Sequence, residues 1–231
     1  IPGSLTVAGS AVGGASALNG LTDVISNITD FTDSILISPD GAAPPHGTFS
    51  TATKNVGIGK DAMSSITSGT NNVFIGKEAG KSVTTAYKAV AIGMEAMENA
   101  TGVAQAIAIG YRAGRALTSA TNTVMIGASA GQALTSGAGN VFVGESAGSG
   151  VTTEAHNVAI GSMALSSSNL SGADYNVMIG SFPGYDITSG SENIGINGFS
   201  LRYLTSGSSN IAMGKNAQLN TTTGSRNIAI G

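Results

Sequence analysis

The sequence predicts an all-β fold, a parallel β-solenoid of eleven repeats of roughly 17 residues. Two observations predict it. Gly59, Gly76, Gly93, Gly110, Gly127, Gly144 and Gly161 follow one another at steps of 17; one step of 19 reaches Gly180, and the 17-step resumes through Asn197 and Gly214 to Gly231. Each of these eleven anchors is also preceded by a short apolar strand, as in Val73-Phe74-Ile75 or Val158-Ala159-Ile160. A fixed period this short means one coil per repeat, with each coil stacked only on its neighbours.

The columns of the repeat follow from the anchors. Three residues before the anchor stands Val or Ile in all eleven coils, and one before stands Ile, Val or Met. These positions lie two apart, so on a strand they share a side. β-Branched residues suit a packed, pleated surface, and Val56, Ile58, Val73, Ile75, Val90, Ile92, Val141, Val158 and Ile160 are expected in the coil core. Each such side chain is worth about 1.5–3 kcal/mol when buried, which only a stack can collect.

The residue between them is then expected to face outward. It is apolar or glycine in every coil, including Phe74, Ala91, Ala108, Met125, Phe142, Ala159, Met178 and Ala212. A strand apolar on both sides is buried on both sides, and soluble monomers rarely expose a continuous apolar stripe. These eight residues are therefore the expected interface of a closed homo-oligomer about the fibre axis.

After the anchor, Ala recurs three positions on, from Ala62 and Ala79 to Ala217, and an aliphatic residue seven on, as in Ile66, Val83, Leu117 and Leu134. Thr-Ser-Gly then marks a turn at 67–69, 135–137, 188–190 and 205–207. Four before the anchor, Asn occupies eight coils, and stacked Asn side chains form amide ladders. The two extra residues of the step to Gly180 fall near Ser166 to Asn169, as a loop bulge. Asn197, the anchor that is not glycine, is a residue that tolerates a left-handed backbone.

The chain divides into residues 1–50, which do not repeat, and the array 51–231, which is expected to continue beyond 231. Residues 1–20 read as extended. Leu21, Val24, Ile28, Phe31 and Ile35 have the spacing of a short coiled coil, yet the intervening Thr, Asp and Asn are poor helix formers, and Ser34–Ile37 reads equally as a strand. Gly41 to Gly47, with Pro44-Pro45, is a linker.

Composition removes several functions. Net charge is −3, which gives no electrostatic case for nucleic acid or an anionic membrane. Cysteine is absent, and with it thiolate metal sites and Cys nucleophiles. No run reaches the roughly 18 apolar residues of a spanning helix. Ile75-Gly76-Lys77-Glu78-Ala79-Gly80 fits the loose hexapeptide of acyltransferase β-helices, but such a match occurs once per coil, and His46 and His156 read as loop residues rather than a catalytic base. Asp61, Glu78 and Glu95 share a column, which a glycan hydrolase could use. Lys60, Lys77 and Arg112 beside them make a solvated charge ladder the better reading. Thr67, Thr84, Thr101, Thr118, Thr135 and Thr152 form a column as long as an ice-binding face needs, although each stands in a turn context. No catalytic, cofactor or metal residue is assigned, and the chain is not expected to be an enzyme.

The unit Asn-Val-x-Ile-Gly-x-x-Ala, at 55–62, 72–79 and 157–164, resembles the head repeats of trimeric autotransporter adhesins, and more closely the array repeats of bacteriophage tail fibres. Residues 17–24 are similar to segments upstream of such arrays. The resemblance implies left-handed β-rolls associating as an elongated homotrimer, a rigid shaft in a virion tail fibre involved in host attachment. Implied partners are two identical chains, adjacent fibre domains or other tail proteins, and a host-surface glycan or protein; nucleic acid and membrane insertion are not implied. The runner-up is an adhesin head on the bacterial surface, and the alternative of another class is a single-chain ice-binding solenoid. Receptor contact is unassigned; Tyr87, Tyr111, Tyr175 and Tyr185 are the turn aromatics available for it.

Overall fold

The computed structural model describes residues 6–7, 10–11, 24–28, 31–37, 50–168 and 170–231. Strands β1 (Thr6–Val7) and β2 (Ser10–Ala11) pair antiparallel. Strand β3 (Val24–Ile28) pairs antiparallel with β4 (Phe31–Ile37). Eleven three-residue strands then follow, β5 to β15, each ending one residue before an anchor, from Val56–Ile58 to Ile228–Ile230. They stack parallel in sequence order on β4, so twelve parallel strands and the antiparallel β3 make one sheet. Register advances by 17, as in Val73↔Val90, except for the step of 19 at Val158↔Val177.

The leader is a hairpin rather than a coiled coil. Tertiary pairing decides the ambiguity, because β4 matches the first coil residue for residue through Ile35↔Val56, Leu36↔Gly57 and Ile37↔Ile58. Leu36, fully buried, covers the gap at Gly57, and the Ser34 hydroxyl accepts the Asn55 N–H at 2.8 Å. The Gly41–Gly47 linker and the rest of 1–20 lie outside the described residues.

Backbone groups around the whole coil bond to its neighbours. Thus Val56 N–H donates to Asn72 O, Gly76 N–H to Ile58 O, and Met63 N–H to Ala79 O. At the anchors the coils come closest. Gly110 has φ +134°, and a Cβ there would lie 2.5 Å from the Gly127 carbonyl oxygen. Both the backbone conformation and the approach therefore demand glycine. Asn197 is the exception, and its φ of 88° is nearer the left-handed region that Asn accepts.

The two sides of each strand are the reverse of the sequence expectation. Phe74, Ala91, Ala108, Met125, Phe142, Ala159, Met178 and Ala212 are fully buried inside their own chain, so none of them can meet a second chain. Val56, Val73, Ile75, Val90, Ile92, Val141 and Val158 are half-buried, and Ile58 and Ile160 are exposed on the outer side. Period two establishes that the flanking residues oppose the middle one; it does not say which side is inside.

What does say so is a pairing of sizes across the coil. The middle strand residue faces the residue four after the anchor. Phe74 meets Gly80, Met125 meets Gly131, Phe142 meets Gly148 and Met178 meets Gly184. In most coils where the strand residue is small the partner is large, as in Gly57 with Met63, and the same alternation in sequence pairs Ala91 with Met97 and Ala159 with Leu165. Ala108 instead pairs with Gly114, where Leu117 and, from the next coil, Met125 take the space. A Cβ on Gly80 would touch the Phe74 ring at 3.0 Å, and one on Gly57 would meet Met63 Cε at 2.5 Å. The buried alanines three after the anchor and the aliphatics seven after it complete this core.

The pairing predicts a compensation. Phe74→Ala should destabilise by about 3–5 kcal/mol through the cavity it leaves. Adding Gly80→Met should recover more than half, because it recreates the Ala91–Met97 arrangement, and Met97 shares the left-handed φ of Gly80 (52° against 58°). Thermal melting of the two single variants and the double checks it; strictly additive losses would refute the pairing.

Candidate functional site

Four regular columns run along the array. The first is the outer side of the sheet, where Val and Ile of eleven strands form two adjacent rows along its length. Ile58, Ile126, Ile160 and Met213 are each 37–41% exposed, while most of the remainder are half-buried by their neighbours in the rows. Sequence reasoning found these residues and put them on the wrong side.

The second column is charged. Arg112 Nε donates to Glu95 Oε2 at 2.7 Å, and Arg115 Nε to Glu98 Oε2 at 2.6 Å. Glu78 pairs with Lys77 at 3.2 Å and with Lys81 at 3.7 Å. Burial raises the Glu78 carboxyl pKa, but the lysines outweigh it and hold it below the ordinary value. The two Arg–Glu pairs run from coil to coil and the Glu78 pairs lie within one coil, together the charge ladder that the sequence led one to expect. They are not the free pair a hydrolase needs.

The third column is a row of mostly buried Asn, and the fourth a row of Thr that ranges from half-buried to exposed. Asn72 Nδ2 donates to Asn55 Oδ1 at 2.9 Å and to Ala86 O at 2.8 Å, and the ladder resumes from Asn176 through Asn193 and Asn210 to Asn227. It is interrupted where Ala89, Ala106 and Thr123 replace Asn. Across the two-residue insertion it holds, with Asn157 Oδ1 accepting from Asn176, although among the described residues the buried Asn157 Nδ2 has no acceptor. The hydroxyls of Thr67, Thr84, Thr101, Thr118 and Thr135 each donate to the carbonyl of the next coil's Thr at 2.9–3.1 Å. Their donors are used within the chain.

Of the turn aromatics, Tyr87, Tyr111 and Tyr175 are exposed, and Tyr185 is half-buried. The ring of Tyr175 stacks on His156 at 4.9 Å. His46 lies outside the described residues. Among the described residues no group of three or more His, Cys, Asp or Glu is placed to hold a metal ion, and no helix is long and apolar enough to cross a membrane. Comparison with protein-family models, curated proteins and solved structures returns no match.

Glu154 was not singled out by the sequence, because a lone Glu in a turn resembles any solvated one. Its residue is 3% exposed. Its carboxylate accepts the N–H groups of Thr152 (2.8 Å), Thr153 (3.0 Å) and Gly172 (3.3 Å), the last from the coil that contains the insertion. Burial raises its pKa, yet these backbone donors prevail and the carboxyl stays below its usual 4.5. A depressed folded-state value contributes stability that is present above the unfolded pKa and lost as pH falls through the folded one. Melting temperature should therefore drop as pH falls below about 4.5. Glu154→Gln should cost about 1–3 kcal/mol at neutral pH and flatten that acid limb. Thermal scans of both proteins from neutral pH downward check it, and an unchanged acid limb would refute the role.

Proposed function

We propose that this chain is a shaft segment of a homotrimeric fibre of the bacteriophage tail-fibre kind, acting in attachment to a host surface. Three left-handed β-rolls would run side by side, each covering the outer aliphatic rows of the others. The observation that carries this reading is the outer side of the sheet. Its two rows of Val and Ile, with Met213 the one other residue, run from β5 to β15, at roughly 4.8 Å per coil, for about 50 Å. An apolar stripe of that length is a docking surface, and a partner with the same 17-residue period would match it coil for coil. Closed rotational symmetry is the usual way for identical chains to supply such a partner.

The columns fit a mechanical role. Backbone, Asn, Thr and charged side chains all bond from coil to coil, which stiffens a rod along its axis. Consumption of the Thr hydroxyls inside the chain weighs against the ice-binding alternative.

Light scattering coupled to size exclusion on the full chain should return three times the chain mass. Ile92→Asp with Ile109→Asp should lower it to one chain mass, while far-ultraviolet circular dichroism keeps its β signature, since these side chains lie outside the coil core. A wild-type chain that is a stable monomer would overturn the proposal.

A further inference from the structure

The charge ladder ends with Arg112 and Arg115, and beyond it Arg202 is the one charged side chain at the positions two and five past the anchor. In the coils after Gly93 and Gly110, Glu95 faces Arg112 two residues past the anchor, and Glu98 faces Arg115 five past it. In the coils after Gly180 and Asn197 the same positions hold Phe182 and Phe199, then Tyr185 and Arg202. Rings stand in the places of both carboxylates and of one arginine, and the second arginine remains as Arg202. Among the described residues no carboxylate lies within ion-pair distance of Arg202, and its Nε is a buried donor with no acceptor.

Four rings surround this guanidinium. Arg202 Cζ lies 5.0 Å from the centroid of Phe199, 5.4 Å from Phe182 and Tyr203, and 5.6 Å from Tyr185. Phe182 and Phe199 stack across the two coils at 5.6 Å with planes 13° apart. Tyr203 is exposed, and the other three rings and Arg202 are half-exposed. Of the eleven Phe and Tyr in the chain, four are gathered here. The adjacent Asp186 reaches Arg202 through its backbone N–H, which donates to Arg202 O at 2.9 Å, and not as an ion pair.

We propose that this cluster is a binding platform for an acidic saccharide, a sugar ring carrying a carboxylate. The chemistry matches at both ends. Aromatic faces accept the apolar C–H face of a pyranose, and ring phenols offer hydrogen bonds to its hydroxyls. An arginine set among rings and lacking an ion-pair partner is poised for a carboxylate, which it can take in bidentate fashion. A neutral sugar would leave that charge unanswered, so the missing anion selects the acidic class. The inference rests on the attachment half of the proposed function, since it supplies the surface by which such a shaft would hold a glycan.

The test is saturation-transfer-difference NMR on the full chain with methyl β-D-glucuronide and N-acetylneuraminic acid as probes, and methyl β-D-glucoside as the neutral control. Saturable transfer from the wild type to at least one acidic probe is expected, with affinity about tenfold weaker for Arg202→Gln. Tyr203→Ala should weaken it as well, and Arg202→Lys should restore part of what Arg202→Gln removes. No saturable binding of either acidic probe overturns the platform. Equal binding of the glucoside, or binding indifferent to Arg202→Gln, overturns the role given to the carboxylate. Light scattering on the same variants separates this from the fibre reading. An unchanged mass leaves the trimer standing whatever the sugars do, whereas a loss of mass in Arg202→Gln makes the cluster a contact between copies and overturns the inference.

Discussion

Everything in this molecule depends on the closeness of one coil to the next. At the anchors the backbones touch, with room for a glycine and for no other side chain across most of the array. That contact sets the rise per coil, and the rise lets each N–H around the turn reach a carbonyl one coil away. A repeat with one residue too many would put the following strand out of register and turn its side chains over. The step of 19 between Val158 and Val177 escapes this because it adds two residues and confines them to a turn. The Asn ladder survives the step, since Asn176 still donates to Asn157 Oδ1 across it.

The backbone shows the same dependence. In each coil, the residues two and four after the anchor and five before it have positive φ, as at Glu78, Gly80 and Asn71. A non-glycine residue held there is strained. An isolated coil would relax out of that shape, whereas a stacked one is over-determined by hydrogen bonds on both sides. Stability therefore belongs to the array as nearest-neighbour coupling, and β4 begins it by giving the first coil something to stack on.

The period, the strand positions, the amide ladder and the charge ladder were all legible in the sequence, because each is a column that repeats at fixed spacing. The side on which the core lies was not read correctly. Uniform Val and Ile look like core, and a column that mixes Gly57, Phe74, Ala91 and Met125 looks like a tolerant surface. The signal was present in the pairing of that column with the one six residues later, where large answers small. It went unread because columns taken singly hide it. Glu154 and Arg202 were illegible for a different reason. Their character comes from neighbours 17 or 18 residues away, the Gly172 N–H in one case and rings in place of carboxylates in the other.

The contrast between the two sides of the strand bears on what the outer rows face. An inward position can vary freely as long as its partner within the same chain varies with it, and the Phe74–Gly80 and Gly57–Met63 pairs do so. The outer rows do not vary in this way. They hold Val or Ile at one position and Ile, Val or Met at the other through all eleven strands, although no residue of the same coil packs over them. Freedom from contact would let such positions drift toward polar residues, as solvent-facing strand positions do. Uniformity instead fits a surface that meets the same geometry at every coil, and a second array of equal period has that geometry. The regularity of the outer side is thus the stronger argument for association, just as the irregularity of the inner side is the better mark of the core.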